Sequence, residues 1–150
     1  MMPAVRSQPE SSALATDLYE YTMAAGYFLQ GMQEVRATFE LFFRQLPVSR
    51  NFLISCGQEL ALDFISRWRI TDDELAYLRS LPVLKSVPDG FFRYLKRLRF
   101  TGDVWAMPEG TPVFPNEPIL RVSAPIIEAQ LMETALLAFI NHSTAIASKA

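Results

Sequence analysis

The sequence predicts a mixed α/β fold, and three observations carry that prediction. Apolar residues recur at helical spacing in several segments, beginning with Leu18, Tyr21, Ala25 and Phe28. Between these segments lie short runs of two-residue alternation rich in β-branched and aromatic residues, such as Ala37 to Arg44. Prolines and glycines fall at the joints between the two kinds of segment.

Each element follows in order. Residues 1–11 (MMPAVRSQPES) are polar and contain proline, so a loose N-terminus is expected through residue 13. Asp17 with Glu20 three positions on has capping-box spacing, with Asp in place of Ser or Thr. It opens a helix to about Gln30, and Gly31 is a fitting stop. Residues 37–44 (ATFELFFR) read as a strand, with Ala37, Phe39, Leu41 and Phe43 on one face and Thr38, Glu40, Phe42 and Arg44 on the other. A loop with one proline spans 45–51, and a second strand, 52–56, runs into Gly57. Gln58 to Arg69 then reads as a helix with Leu60, Ala61, Phe64, Ile65 and Trp68 on one side.

Thr71 and Glu74 form a second capping-box pair, ahead of a short helix to Leu81. Pro82 and Pro88 punctuate, and Phe91 to Leu98 is a further short helix. Gly102 to Met107 is strand-like and Pro108-Glu109-Gly110 is a turn. Residues 111–118 (TPVFPNEP) hold three prolines, which confines any strand there to an edge or a bulge. Ile119 to Val122 suits another strand. Pro125 suits a first helical turn. Beyond it Ile127, Leu131, Thr134, Leu137 and Ile140 form one stripe, predicting a single helix from 125 to 150 without a stop signal. That helix is expected to expose a broad apolar surface, which would suit a truncated piece.

The chain has 150 residues, the length of one domain, with 50% hydrophobic and 20% charged residues. Fourteen basic residues against 16 acidic ones leave a net charge of −2, which excludes the basic footprint of a nucleic-acid binder. Arg93, Lys96, Arg97 and Arg99 form a local basic spot that reads as a solvated helix face. One cysteine, Cys56, permits no internal disulfide, and with one histidine, His142, it rules out a Cys/His metal cluster. Cys56 reads as a small core hydrophobe and His142 as a packed or surface residue. No apolar run approaches the roughly 18 residues of a membrane span, and no signal-peptide core is visible, so the cytoplasm is the expected location.

Three places could meet a ligand. The helix start at 16–23 offers free N–H groups and partial positive charge, with Tyr19 presenting an aromatic face in the first turn. Arg44 at its strand end could grip a phosphate through paired donors. The segments Pro108-Glu109-Gly110-Thr111 and Phe114-Pro115-Asn116-Glu117-Pro118 could shape a loop against a ligand, although a structural turn suffices. No phosphate-loop, dinucleotide or HExxH motif occurs. These residues alone give no reaction.

Motif order adds what the physics does not. TDLYEYTMAAGYF (16–28) resembles the first helix of nicotinate phosphoribosyltransferases. ATFELFFRQLP (37–47) and RNFLISCG (50–57) resemble the strand pair that follows it, and RFTGDVWAMPEGTPVFPNEPILRV (99–122) is similar to a further family motif. EAQLMETALLAFIN (128–141) with AIASKA (145–150) resembles the helix leading into that family's barrel. The resemblance implies an α+β N-terminal domain over 14–124, followed by that helix. It implies an ATP-dependent ligase of NAD salvage that makes nicotinate mononucleotide from nicotinate and phosphoribosyl pyrophosphate. ATP and magnesium would serve the whole enzyme, and ATP would phosphorylate a histidine in the barrel, not His142. Tyr19 would stack on nicotinate with Asp17 near it, and Arg44 would contact phosphoribosyl pyrophosphate. A homodimer with a site shared between subunits is implied. No catalytic residue would lie in this chain, which by itself is expected to be inactive. The other reading is a non-catalytic interaction or dimerisation module derived from such an enzyme.

Overall fold

The computed structural model describes residues 12–150. Residues 1–11 of the stretch expected to be loose lie outside the described residues. Ser12 and Ala13 are tied down: Ser12 Oγ donates to Glu74 at 2.6 Å, and buried Ala13 offers its carbonyl to the Tyr21 hydroxyl at 2.8 Å.

The elements alternate as the sequence suggests. Helix α1 (Leu18–Leu29) leads to strand β1 (Arg36–Leu41) and short strand β2 (Leu53–Ile54). Three helices follow, α2 (Gln58–Arg67), α3 (Asp72–Ser80) and α4 (Asp89–Arg97), with a 3-10 turn at Pro82–Leu84 between the last two. Strands β3 (Asp103–Ala106), β4 (Pro112–Val113) and β5 (Leu120–Pro125) come next, then helices α5 (Ile126–Gln130) and α6 (Glu133–Ala147). Mixed helix and strand without parallel crossovers makes this an α+β domain.

Strand β5 is the centre of the larger sheet, with β1 and β3 antiparallel on either side. Its burial alternates, with Leu120, Val122 and Ala124 inward. Opposite them, Ala37, Phe39 and Leu41 of β1 are the half-buried positions, as the alternation predicts. β2 and β4 form a separate two-stranded ribbon, where the prolines of 111–118 cost no central ladder bond. Helix α5 packs on β1 and β5, α1 on α5, and α2 on α6. Aromatic contacts join distant helices: the Phe28 ring of α1 lies 5.6 Å from that of Phe91 in α4, and Phe64 of α2 lies 5.6 Å from Phe139 of α6.

Four expectations need correction. The second capping box forms as predicted, with Thr71 Oγ1 accepting from the Glu74 N–H and Glu74 accepting from the Thr71 N–H. The first does not: Asp17 makes no side-chain cap on α1, because its carboxylate and that of Glu20 turn to a threonine of α6. The strand expected over 37–44 ends at Leu41, where β5 ends opposite it. The single helix over 125–150 is two. A continuous helix would give the Thr134 N–H to the carbonyl of residue 130; here it goes to Glu20. Finally, the stripe at 127–140 is covered. Ile127, Leu131 and Ile140 are buried, and of its apolar members only Leu137 reaches the exposed range.

Gly102 marks the tightest approach in the larger sheet. A Cβ there would stand 2.4 Å from the Ala124 Cβ and 2.6 Å from the Ser123 carbonyl oxygen. Gly102→Ala should therefore cost about 2 kcal/mol, as overpacking does, read from the urea midpoint. Gly110→Ala meets open space but a φ of +84°, so it should cost about 1 kcal/mol through backbone strain alone. Equal midpoints for Gly102→Ala and the parent would show that β3 can step away from β5.

Candidate functional site

The first turns of α1 and α6 meet at one corner. The Thr134 hydroxyl lies 2.6 Å from Glu20 Oε1 and 3.0 Å from Asp17 Oδ2, so its proton serves one carboxylate at a time. The Thr134 N–H donates to Glu20 Oε1 at 2.9 Å, and the Thr16 hydroxyl donates to Glu20 Oε2. The Asp17 N–H in turn reaches Thr134 Oγ1 at 3.3 Å. Glu20 is 0% exposed, a position that a carboxylate holds only with its lone pairs occupied. Burial pushes its carboxyl above the usual range; donors from Thr134 and Thr16 oppose that shift without cancelling it, and Glu133 adds to it.

Tyr19 points outward from this corner and is 44% exposed. Local loss of water, then the Glu133 carboxylate beside it, raises its hydroxyl to about 12, so it stays a neutral phenol. Glu133 is itself held by Gln130, whose Nε2 donates at 2.9 Å. The result is an exposed, neutral aromatic ring on a corner that carries Asp17, Glu20 and Glu133. Behind Glu133 a cavity of about 220 Å³ opens between sheet and helix, lined by Phe39, Leu41, Val122, Leu136 and Leu137 among others.

The proline-rich motif has a structural job. Glu109 from its turn accepts from the Gly57 N–H at 2.8 Å and the Glu59 N–H at 3.2 Å, closing the start of α2. Those N–H groups, Glu59 first, hold its carboxyl below the usual range. Gly57 also lets α6 pack close to this turn: its φ is 102°, and a Cβ would stand 2.6 Å from the Phe139 carbonyl oxygen. Cys56 is half-buried, its Sγ 3.8 Å from Glu109. Glu117 and Asn116 likewise serve the loop, Glu117 accepting from the Phe114 N–H and Asn116 giving its N–H to Phe43.

Arg44 is exposed and lies three residues beyond β1, not at its end. At the corner Asp17 bonds Thr134, not Arg44. Arg93, Lys96, Arg97 and Arg99 share an open depression on α4, with Lys96 paired to Asp72. His142 is exposed on α6. The structure thus brings Asp17 and Tyr19 together with Glu20, Gln130, Glu133 and Thr134, four residues that periodicity does not mark as a site. One signal pointed to them: Thr134 is the one polar residue in the 127–140 stripe.

This arrangement of helix, strand pair and ribbon is that of the human nicotinic acid phosphoribosyltransferase crystal structure. That structure superposes with a TM-score of 0.82 at 36% identity, over 89% of this chain and 27% of the human chain. The model of the nicotinate phosphoribosyltransferase N-terminal domain matches residues 14–141, and the chain belongs to that family. A nicotinate phosphoribosyltransferase of Mycobacterium tuberculosis is 48% identical over 138 residues, covering 92% of this chain and 29% of the relative. One of Bacillus subtilis is 45% identical over 141 residues, covering 94% of this chain and 28% of the relative. The chain therefore spans less than a third of the length of these relatives.

A pH test isolates Glu20. Its native carboxyl holds a proton to higher pH than in the unfolded chain. Its contribution to stability is thus fullest below the ordinary carboxylate value and falls as pH rises through the raised native one. The stability difference between the parent and Glu20→Gln should change across that window and be flat well above it. A difference that is constant from pH 4 to 8 would contradict the raised value.

Proposed function

We propose that this chain is the substrate-facing N-terminal part of an enzyme joining nicotinate to the ribose of phosphoribosyl pyrophosphate, with ATP hydrolysed in support, in NAD salvage. The observation that carries the reading is Tyr19: an exposed, neutral ring in the first turn of α1, inside the TDLYEYTM segment of a domain of this family. In the reaction the ring nitrogen of nicotinate attacks the ribose carbon and pyrophosphate leaves. Stacking on Tyr19 holds the pyridine plane for that attack, which is positioning rather than bond-making chemistry.

Electrostatics fixes the orientation. Asp17, Glu20 and Glu133 surround the base of Tyr19, so the nicotinate carboxylate is repelled from that side. It must face away from this corner, toward cationic groups on other elements. Asp17, already sharing the Thr134 proton, shapes the corner more than it contacts substrate. Arg44, exposed and free of the corner, is the residue we assign to phosphoribosyl pyrophosphate. No group of three or more His, Cys, Asp or Glu among the described residues could hold a metal ion. We further propose a homodimer sharing the site and a cytoplasmic location, which suits a lone half-buried thiol. No helix among the described residues is long and apolar enough to cross a membrane.

The isolated 150-residue chain should form no nicotinate mononucleotide from nicotinate, phosphoribosyl pyrophosphate and ATP; product above background by chromatography would overturn that. In a full-length enzyme containing residues 14–141 as its N-terminal domain, Tyr19→Ala should raise the KM for nicotinate about tenfold, with Tyr19→Phe near the parent. An unchanged nicotinate KM would remove Tyr19 from the site.

A further inference from the structure

Tyr19 stands on a turn with little to hold it. Leu18 and Tyr19 are both largely exposed, and Asp17 does not cap the helix they begin. The buried residues further along α1 are Tyr21, Ala24 and Ala25: Tyr21 is tied through its hydroxyl to the Ala13 carbonyl at 2.8 Å, and the two alanines offer small surfaces. Across the corner, the directional contacts to Asp17, Tyr19 and Glu20 come from α6, beside the local bond from Thr16 to Glu20. Residues 19 and 20 meet residues 133 and 134 as adjacent pairs: Glu133 beside the Tyr19 hydroxyl, Thr134 on the Glu20 carboxylate through both its N–H and its hydroxyl. Successive residues on a helix point about 100° apart, so fixing Glu20 inward sets the direction of Tyr19 outward.

We infer that Glu20 and Thr134 are positioning residues that set the angle and depth at which Tyr19 meets its planar ligand. This rests on the stacking role proposed for Tyr19. The pair lies 114 residues apart in sequence, Glu20 is fully buried, and the Thr134 hydroxyl is engaged with the Glu20 and Asp17 carboxylates. Their effect is therefore on where the ring stands, not on contact with substrate. The corner also couples two roles in one group. The same carboxylate that orients Tyr19 closes the N–H of Thr134 at the start of α6, where the helix dipole favours negative charge.

The test uses a full-length enzyme containing residues 14–141 as its N-terminal domain, with KM for nicotinate and for phosphoribosyl pyrophosphate, and kcat, measured separately. Glu20→Ala and the near-isosteric Thr134→Val should each raise the nicotinate KM about five- to tenfold, with the phosphoribosyl pyrophosphate KM within about twofold of the parent. Glu20→Gln keeps an oxygen for the Thr134 N–H and an amide that can donate to Thr16. It should restore most of the nicotinate KM, as should Thr134→Ser. Leu78→Ala, which opens a cavity on the buried side of α3, serves as a destabilised control and should leave the nicotinate KM alone. If Glu20→Ala and Thr134→Val move both KM values equally, behave like Leu78→Ala, or change nothing while Tyr19→Ala raises the nicotinate KM, the positioning role is overturned and the stacking role stands. If Tyr19→Ala leaves that KM unchanged, the stacking role fails and this inference falls with it. Thr134→Val provides the reading where Glu20→Ala does not fold.

Discussion

The Glu20 carboxylate is the constraint on which the first and last helices depend. A fully buried carboxylate without donors would cost several kcal/mol, enough to exceed a large part of a domain's net stability. The fold meets that cost with Thr16 from the same turn and with two donors from Thr134. Satisfying it forces α1 and α6 to begin side by side. It also takes up the Thr134 N–H at the boundary where the C-terminal apolar stripe divides into α5 and α6. One buried charge thus fixes a helix boundary, a helix contact and the direction of the neighbouring Tyr19.

The same device recurs where other distant segments must join. Glu109 reaches 52 residues back to the Gly57 N–H and closes α2. Glu128, buried, takes the Thr101 N–H at 2.6 Å and the Thr101 hydroxyl, tying α5 to the approach of β3. A helix start filled by an internal carboxylate is closed to external anions. α2, α3 and α6 are closed in this way, the second by its own capping box. Around them the central strand β5 supplies the rigid frame, bonded on both edges and buried on one face. This frame leaves the ring of Tyr19 exposed at its corner.

The contrast between two capping-box spacings shows how far sequence reading reaches. Thr71 and Glu74 behave as the spacing predicts because the distant donors that reach Glu74, from Ser12 and Ala13, leave its Oε2 bonds to Thr71 in place. Asp17 and Glu20 have the same spacing and do something else, because Thr134 offers them a donor that a local rule cannot include. Arg44 makes the same point differently. Its alternation with Thr38, Glu40 and Phe42 continues past Leu41, but strand pairing stops where β5 runs out, so the residue lies in the following loop.

The sequence by itself determined the α+β class, the order of helices and strands, the inward face of β1, the capping box of α3 and, through motif order, the family. These follow from periodicity, turn chemistry and local wording, which are properties of neighbouring residues. Only the tertiary structure decided that Glu20 turns inward, that Glu109 belongs to α2, that the 125–150 segment is two helices, and that Tyr19 shares a corner with Glu133 and Thr134. Each of those is a competition between local and distant partners for the same donor or acceptor. Its outcome depends on which groups the folded chain brings within about 3 Å, a distance that sequence separation does not encode.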